Sequence, residues 1–287
     1  MYARFNICYE LGGLQMIKIS KDIKIEDVTN VVNEKSPSFS GIVNQECKGN
    51  LWVDNIEEPR VAIAESYAVG SFAFLGTYET NEDFLNLKDF LENELFHHLK
   101  KNGYDCFEFS IESENLHKNI LKIFKDKSIQ TEKEISFRVN EIPKKKLPIP
   151  REYQLRKVDN IFWDILTEGT IENEDFLKVR LLESWYSFEE FKNKSIAYCI
   201  IFDNRIVAVM VGTACFKNVI AIDIETEEKH RRKGLAYAMA IEFINDCLKE
   251  ELTPQWDCVE SNPNSYNLAR KLGFEKTNEN TVYWFNI

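Results

Sequence analysis

No run of about 18 apolar residues occurs anywhere in this 287-residue chain, so nothing in it predicts a membrane-spanning helix. The opening, MYARFNICYELGGLQM, likewise lacks an apolar stretch adequate for a secretory signal; Met16 offers a more conventional start, which would make residues 1–15 an upstream extension. Histidine is scarce, with four in all and no HExxH around them. His97 and His98 are neighbours on a predicted helix, where their side chains diverge by about 100° and cannot grip one ion as a pair. His117 is read in the same way, and no metal is expected. The seven cysteines (Cys8, Cys47, Cys106, Cys199, Cys215, Cys247 and Cys258) are odd in number, lack CxxC spacing and lie mostly in apolar segments. That usage predicts reduced thiols packed as small hydrophobes in a cytoplasmic protein. Positive charge is also short, 36 Lys and Arg against 47 Asp and Glu for a net −11, which argues against a general nucleic-acid or anionic-membrane surface.

What the chain has is core-forming material: 44% hydrophobic residues, with 20 Phe among them. Its length exceeds the ~100–200 residues of a typical domain, so one large or two smaller domains are expected. The composition changes at EIPKKKLPIP, residues 141–150, where three prolines and a lysine run predict a stiff, solvated connector. The division is therefore placed between an N-terminal α/β domain, 1–145, and a second domain, 146–287.

Before that connector, a helix is allowed at 25–35. GNLWVDN, PRVAIAESYAVGSFAFLG and YDCFEFSI have strand patterns. FLNLKDFLENELFHHLKK is helical, with Phe84, Leu87, Phe90, Leu91 and Leu95 near one stripe that Phe96 widens, and ENLHKNILKIF gives a second helix. After the connector, YQLRKV predicts a strand and NIFWDILTEG a helix. EDFLKVRLLESW predicts another helix, with Phe176, Val179, Leu182 and Trp185 spaced for a buried face; YSFEEF then interrupts the pattern. KSIAYCIIFDNRIVAVMVGTACFKNVIAIDIET reads as three strands turned at Asp203-Asn204 and Lys217-Asn218. A helix, a strand, a helix and a last strand complete the order β–α–α–β–β–β–α–β–α–β.

The most informative stretch is VIAIDIETEEKHRRKGLA, residues 219–236. An apolar strand runs through an acidic turn and three basic residues into Gly234-Leu235-Ala236, the start of a long helix. The first N–H groups of a helix have no intrahelical partner and sit at its positive end, so a diphosphate finds donors and a favourable field there. Gly234 allows close approach, Ala236 keeps the next turn thin, and Arg231 and Arg232 can add charge-assisted bonds.

Arg231-x-x-Gly234-x-Ala236 resembles the acyl-CoA-binding motif of the GNAT N-acetyltransferases. The helix, the strand QWDCVE, the segment SNPNSYNLAR and the closing Leu-Gly-Phe at 272–274 extend the likeness over roughly residues 196–287. Together TEEKHRRKGLA, PQWDCVESNPNS and LARKLGF are similar to the GNAT subgroup that includes zwittermicin-resistance type acetyltransferases. The resemblance implies an α/β (α+β) GNAT fold, a splayed mixed β-sheet flanked by helices. A smaller α/β domain precedes it, whose own pattern admits a divergent GNAT-like half and a cover for the acceptor site.

For the site, the resemblance implies acetyl-CoA as cosubstrate. Pantetheine would pair with the backbone at Ile222 and Ile224, and the diphosphate would rest over Arg231, Arg232, Lys233, Gly234, Leu235 and Ala236. Asn262 would hydrogen-bond the cofactor, while Ser265 is divided between helix cap and ligand contact. The chemistry is direct attack of an amine on the thioester, for which Glu225 is the candidate base and Asp223 its alternative. The family commonly places a tyrosine where this chain has Ala269, leaving Tyr266 and Tyr283 as candidates to protonate the thiolate. Cys258 and Trp256, beside the expected cleft, are read as packing. The leading expectation is acetyl transfer to the primary amine of a small molecule, with no nucleic-acid or membrane partner and with monomer and homodimer both open. Acetylation of a protein or peptide, and a catalytically degenerate acyl-CoA sensor, stand as alternatives.

Overall fold

Asp203, Asn204 and Lys217 take positive φ of 46°, 59° and 56°, as tight turns between antiparallel strands require, so both predicted hairpins form. The computed structural model describes residues 16–287 except 21, 22, 26, 79 and 144–146. The suggested upstream extension and the lysine run lie outside the described residues. In chain order the elements are β1 (Ile17–Ile19), α1 (Pro37–Val43), β2 (Gly49–Val53), β3 (Val61–Ser66), β4 (Ser71–Gly76), α2 (Asn81–Phe90), α3 (Phe96–Lys101), β5 (Cys106–Ile111), α4 (Glu114–Ile123) and β6 (Gln130–Arg138). They continue as β7 (Tyr153–Lys157), α5 (Asn160–Thr167), α6 (Asp175–Ser184), α7 (Phe188–Lys194), β8 (Ala197–Phe202), β9 (Arg205–Phe216), β10 (Val219–Thr226), α8 (Leu235–Lys249), β11 (Thr253–Val259), α9 (Pro263–Lys271) and β12 (Glu275–Asn286).

All twelve strands join one mixed sheet in the order β1-β2-β3-β4-β5-β12-β6-β11-β10-β9-β8-β7. Each half contributes an antiparallel run ending in a parallel pair, β4 with β5 and β10 with β11. The halves then trade their final strands. β6 from the first half pairs with β11 of the second, β12 from the second pairs with β5 of the first, and β6 and β12 pair with each other along the seam. The connector at 141–150 thus joins halves of one continuous sheet.

Burial follows the pleat. Phe72, Phe74, Phe107, Phe109 and Phe285 point to one face and pack with Leu87, Phe90, Leu91, Leu95 and Phe96, the predicted stripe of α2 and α3. On the same face of the second half, Val207, Met210, Ile220, Trp256 and Phe274 pack with α8 residues including Met239, Phe243 and Ile244. The opposite face carries a third cluster that joins Phe39 and Ile42 of α1 to strands of both halves and to Leu177, Leu181, Trp185 and Phe191.

Four expectations are corrected. The described residues of 25–35 hold a single 3-10 turn, Thr29–Val31, and a hydrogen-bonded turn at 34–35, and the helix lies further on, where Pro37 supplies a fixed φ at its first turn. YSFEEF is the start of α7, because the Ser187 side chain accepts the Glu190 N–H. On α6, Val179 and Leu182 are exposed and the inward line is Leu177, Leu181 and Ser184, a rotation that carries Arg180 to the sheet. Finally β6, unforeseen, alternates Ile135 and Phe137 toward one face with Glu134, Ser136 and Arg138 toward the other.

Candidate active site

β10 and β11 pair only over Val219–Ala221 and Thr253–Gln255. Beyond, Ile222–Thr226 stays bonded to β9 alone, after a register shift between Ala221 and Ile222, while Trp256–Val259 bonds to β6. The extra residue of that shift is Thr213 of β9, and beyond it peptide groups on the cleft side of β10 have no strand partner. The expected opening is therefore present, with Ile222 and Ile224 half-buried on the α8 side.

The cleft runs to the N-terminus of α8, where Gly234 holds the cap position at φ 79°. No side chain caps this end and no acidic residue lies in its first turn, so its N–H groups face outward without a competing carboxylate. No atom lies within 4 Å of where a Gly234 Cβ would stand, so the glycine serves the left-handed backbone, and the space over it is open. Arg231 donates from Nε to the Thr226 carbonyl at 2.9 Å, tying the loop to the end of β10, and Arg232 adopts φ 61°. Lys233 turns away to the Tyr153 hydroxyl at 2.6 Å, which also meets His230 Nδ1 at 2.9 Å. Leu235 is buried beneath the cradle while Ala236 stays half-exposed. This arrangement fits a diphosphate held by backbone N–H groups with Arg231 and Arg232 alongside.

The corresponding junction of the first half is built differently. Glu112 N–H bonds Phe74 O at 2.9 Å, which keeps β4 and β5 closed, and α2 begins with a Thr80–Asp83 capping box carrying Glu82 and Asp83 in its first turn. Those carboxylates occupy the helix end that an anion would need.

On the side away from α8, the sheet centre is polar. Across β5, β12, β6 and β11 the register aligns Glu134 with Asn280 and Val259, and Ser136 with Asn278 and Asp257. If the β10 pairing continued, Asp223 would stand opposite Asp257; instead the cleft lies between them. A cavity of about 260 Å³ forms here, with Asp223, Asp257, Glu134 and Glu112 in its walls and residues 35–39 and Ala68-Val69 of the first half over it. Its cover is tied down: Gln255 Nε2 donates to Lys35 O at 2.9 Å, and Ser36 Oγ donates to Glu112. Glu112 also accepts from Ser110 at 2.6 Å and Asn280 at 2.8 Å, and burial raises its pKa. Asp257 accepts from Gln255 at 3.1 Å and is pushed up to about 6, chiefly by burial. Glu134 is pushed up to about 8 by burial first, then by Asp257, Glu112 and Glu108. A larger hollow of about 770 Å³, lined by Lys157, Lys194 and Lys217, lies at the other end of β10 from the cradle.

The remaining predicted residues are distributed as follows. Glu225 and Asp223 share a face of β10, and both are bound by Arg180 of α6, Asp223 at 2.8 Å from Nε and Glu225 from Nη2. Arg180 also donates to Phe176 O and lies over the Phe176 ring. Asn262 caps α9 by accepting the Ser265 N–H at 3.1 Å, and Ser265 Oγ accepts from Trp256 Nε1 at 2.8 Å. Trp256 is thereby a buried core residue held to α9. Tyr266 is exposed and stands edge-on to Phe137, beside β11 on the α9 side. Tyr283 is not brought to the cleft: it is buried with Phe109, its hydroxyl 2.7 Å from His117 Nε2, in the first half's aromatic core. Ala269 is fully buried, and burial raises the Cys258 thiol, as expected of a packed side chain. Among the described residues no group of three or more His, Cys, Asp and Glu could hold a metal, and no helix is long and apolar enough to cross a membrane.

The sequence reading missed Glu134, Asp257, Glu112 and Arg180. Asp257 had a visible signal, as the one charged residue inside the strand run QWDCV, but its neighbours come from strands more than a hundred residues away.

Comparison with known families decides the superfamily, because the GNAT acetyltransferase family matches residues 30–283, both halves included. The chain belongs to that family. An uncharacterized N-acetyltransferase, YdfB, of Bacillus subtilis (strain 168) is 33% identical over 141 residues, 49% of this chain and 51% of YdfB, so the chain spans about half the length of that relative. Among solved structures, a GCN5-related N-acetyltransferase-like protein from Streptococcus suis 89/1591 superposes with TM-score 0.56 at 19% identity, covering 83% of this chain and 88% of that one. A tandem GNAT protein from the clavulanic acid biosynthesis pathway gives 0.55 at 9% identity, covering 95% and 98%. At these identities the likeness to solved structures is one of fold.

Proposed function

We propose that this GNAT protein transfers an acetyl group from acetyl-CoA to the primary amine of a small cationic molecule by direct attack. The observation that carries the reading is the opening between β10 and β11, which joins an anion cradle at α8 to a small acidic cavity on the other side. Bound acetyl-CoA would supply a thioester carbonyl to that opening. The chain's part is to hold the diphosphate at residues 231–236, to engage the pantetheine arm with the free edge of Ile222–Thr226, and to receive an ammonium among carboxylates.

Cavity size supports a small acceptor, because about 260 Å³ under a tied-down cover suits a small amine better than an extended peptide. The likeness of the cradle and SNPNS segments to zwittermicin-resistance type enzymes supports the same class. Tyr266, exposed on the α9 side, is the nearer of the two tyrosines for delivering a proton to the departing thiolate. A thiol's comparatively low pKa lightens that task.

The test is calorimetric titration with acetyl-CoA, followed by CoA-release assays on spermidine, 1,4-diaminobutane, tyramine and an N-terminal peptide mixture. Binding with turnover of the small amines supports the proposal. Turnover of peptides alone would replace it with protein acetylation, and binding without turnover of any amine would favour the sensor.

A further inference from the structure

We infer that the base for the reaction is Glu134, delivered to the second half's active site by the exchanged strand β6, in place of Glu225 on β10. This rests on the transferase reading above.

The geometry separates the two carboxylates. Glu225 and Asp223 are both engaged by the Arg180 guanidinium, which is held by the Phe176 carbonyl and ring. One oxygen of each carboxylate is thereby taken by a fixed cation, which an incoming ammonium would have to displace. Glu134 has no hydrogen-bond donor to its carboxylate among the described residues, although Asp257 and Glu112 beside it have theirs from Gln255, Ser110, Ser36 and Asn280. It sits diagonally across from Asp257 in the β6–β11 register, within reach of one another's field. Both line the cavity with Asp223 and Ile222 of the opened strand. The groups facing Glu134 are Asp257 from β11, Glu108 from β5 and Glu112 just past its end, and Asn280 from β12, with Lys35 in the cavity's cover and Arg138 further along β6 beside Gln255.

That environment suits the task. Burial among like charges makes Glu134 a far more basic carboxylate than one in water, near the working pH where a general base is most effective. An arriving ammonium supplies Glu134 with the cationic partner that no side chain gives it among the described residues. One ammonium proton passes to the Glu134 carboxylate; the freed nitrogen pair forms the C–N bond to the thioester carbonyl carbon; the C–S bond breaks with its electrons going to sulfur. A second nitrogen proton ends on the thiolate, the amide keeps the third, and Glu134 releases its proton to solvent, so the reaction yields amide, thiol and one proton.

The experiment compares Glu134→Gln, Asp257→Asn and Glu225→Gln with the full-length protein on spermidine or another turned-over amine, across pH 6–10. Glu134→Gln is expected to lower kcat about 100-fold or more, as loss of a general base does, with acetyl-CoA affinity unchanged. Its residual rate should keep rising with pH as free amine accumulates, where the native profile levels off. Glu225→Gln should change kcat less than Glu134→Gln. An unaltered kcat and pH profile in Glu134→Gln, or a loss confined to Glu225→Gln, overturns the assignment. An acceptor-free measurement stands beside it: infrared difference titration of the free protein should show a neutral carboxylic C=O band disappearing around pH 8, absent from Glu134→Gln. If no amine is acetylated the transferase reading fails by itself, while absence of that band removes Glu134 from the role.

Discussion

In the proposed function Gly234 and Arg231 carry the diphosphate end of the cosubstrate. The φ of 79° at Gly234 is one that a β-branched residue adopts only with strain of about 1–3 kcal/mol. Gly234→Val should therefore weaken acetyl-CoA binding about tenfold or more, as read by calorimetry, with the fold retained. Arg231→Ala removes both a charge and the tie to the Thr226 carbonyl, and a loss of about tenfold is expected there too; unchanged affinity in both would move the diphosphate elsewhere. The half-buried carboxylates of the cavity make a separate prediction in pH. A group such as Glu134, whose folded pKa lies above its ordinary 4.5, lets the folded chain hold more protons than the unfolded chain between about 4.5 and 8. Stability from this source is full below that window and is lost as pH rises through it, and Asp257 acts in the same direction. Thermal melts should show the native Tm falling from pH 5 to pH 8, with Glu134→Gln melting higher than the native protein at pH 8 and flattening the slope. An identical slope in the variant would contradict the burial of charge described here.

At the level of elements, α1 is the joint between the halves. Its Gly41 lies so close to β9 that an added Cβ would stand 2.3 Å from the Cys215 carbonyl and 2.8 Å from the Cys47 sulfur. Gly41→Ala must push the helix off the strand, and a loss of about 1–3 kcal/mol is expected in denaturant unfolding. Because residues 35–39 roof the acidic cavity, KM for the amine should rise in the same variant while acetyl-CoA affinity holds. Sequence reading reached the start of α8 and the hairpins because their signals are local: glycine before a helix and Asp-Asn between strands. It reached the α2–α3 stripe for the same reason. On α6 it placed Trp185 and Phe176 inward but missed the middle of the helix, where apolar residues surround it and only the position of the sheet selects Leu177 and Leu181 over Val179 and Leu182. It failed on β6 and on the acidic cluster because Glu134, Asp257 and Glu112 become neighbours only through pairings between distant strands. Nothing in any one segment records them.

At the level of the whole molecule, the traded strands make each half incomplete without the other. Residues 146–287 alone would leave β11 with an uncovered edge, and residues 1–145 alone would expose both edges of β6. Each fragment expressed separately should aggregate or remain unfolded, whereas the two expressed together should recover a soluble pair that binds acetyl-CoA, as followed by size-exclusion chromatography and calorimetry. A soluble, cooperatively melting 146–287 fragment would show instead that the second half stands on its own.

The exchange also sets a clock. β6 leaves the ribosome more than a hundred residues before β11, its partner, a wait of roughly 5–20 s at ~5–20 residues per second. During that interval Glu134 has no Asp257 beside it, and the cavity does not exist. The acidic pocket is assembled last, when β11 and β12 join strands made long before, so a chain cut short at any point before β11 does not carry the pocket.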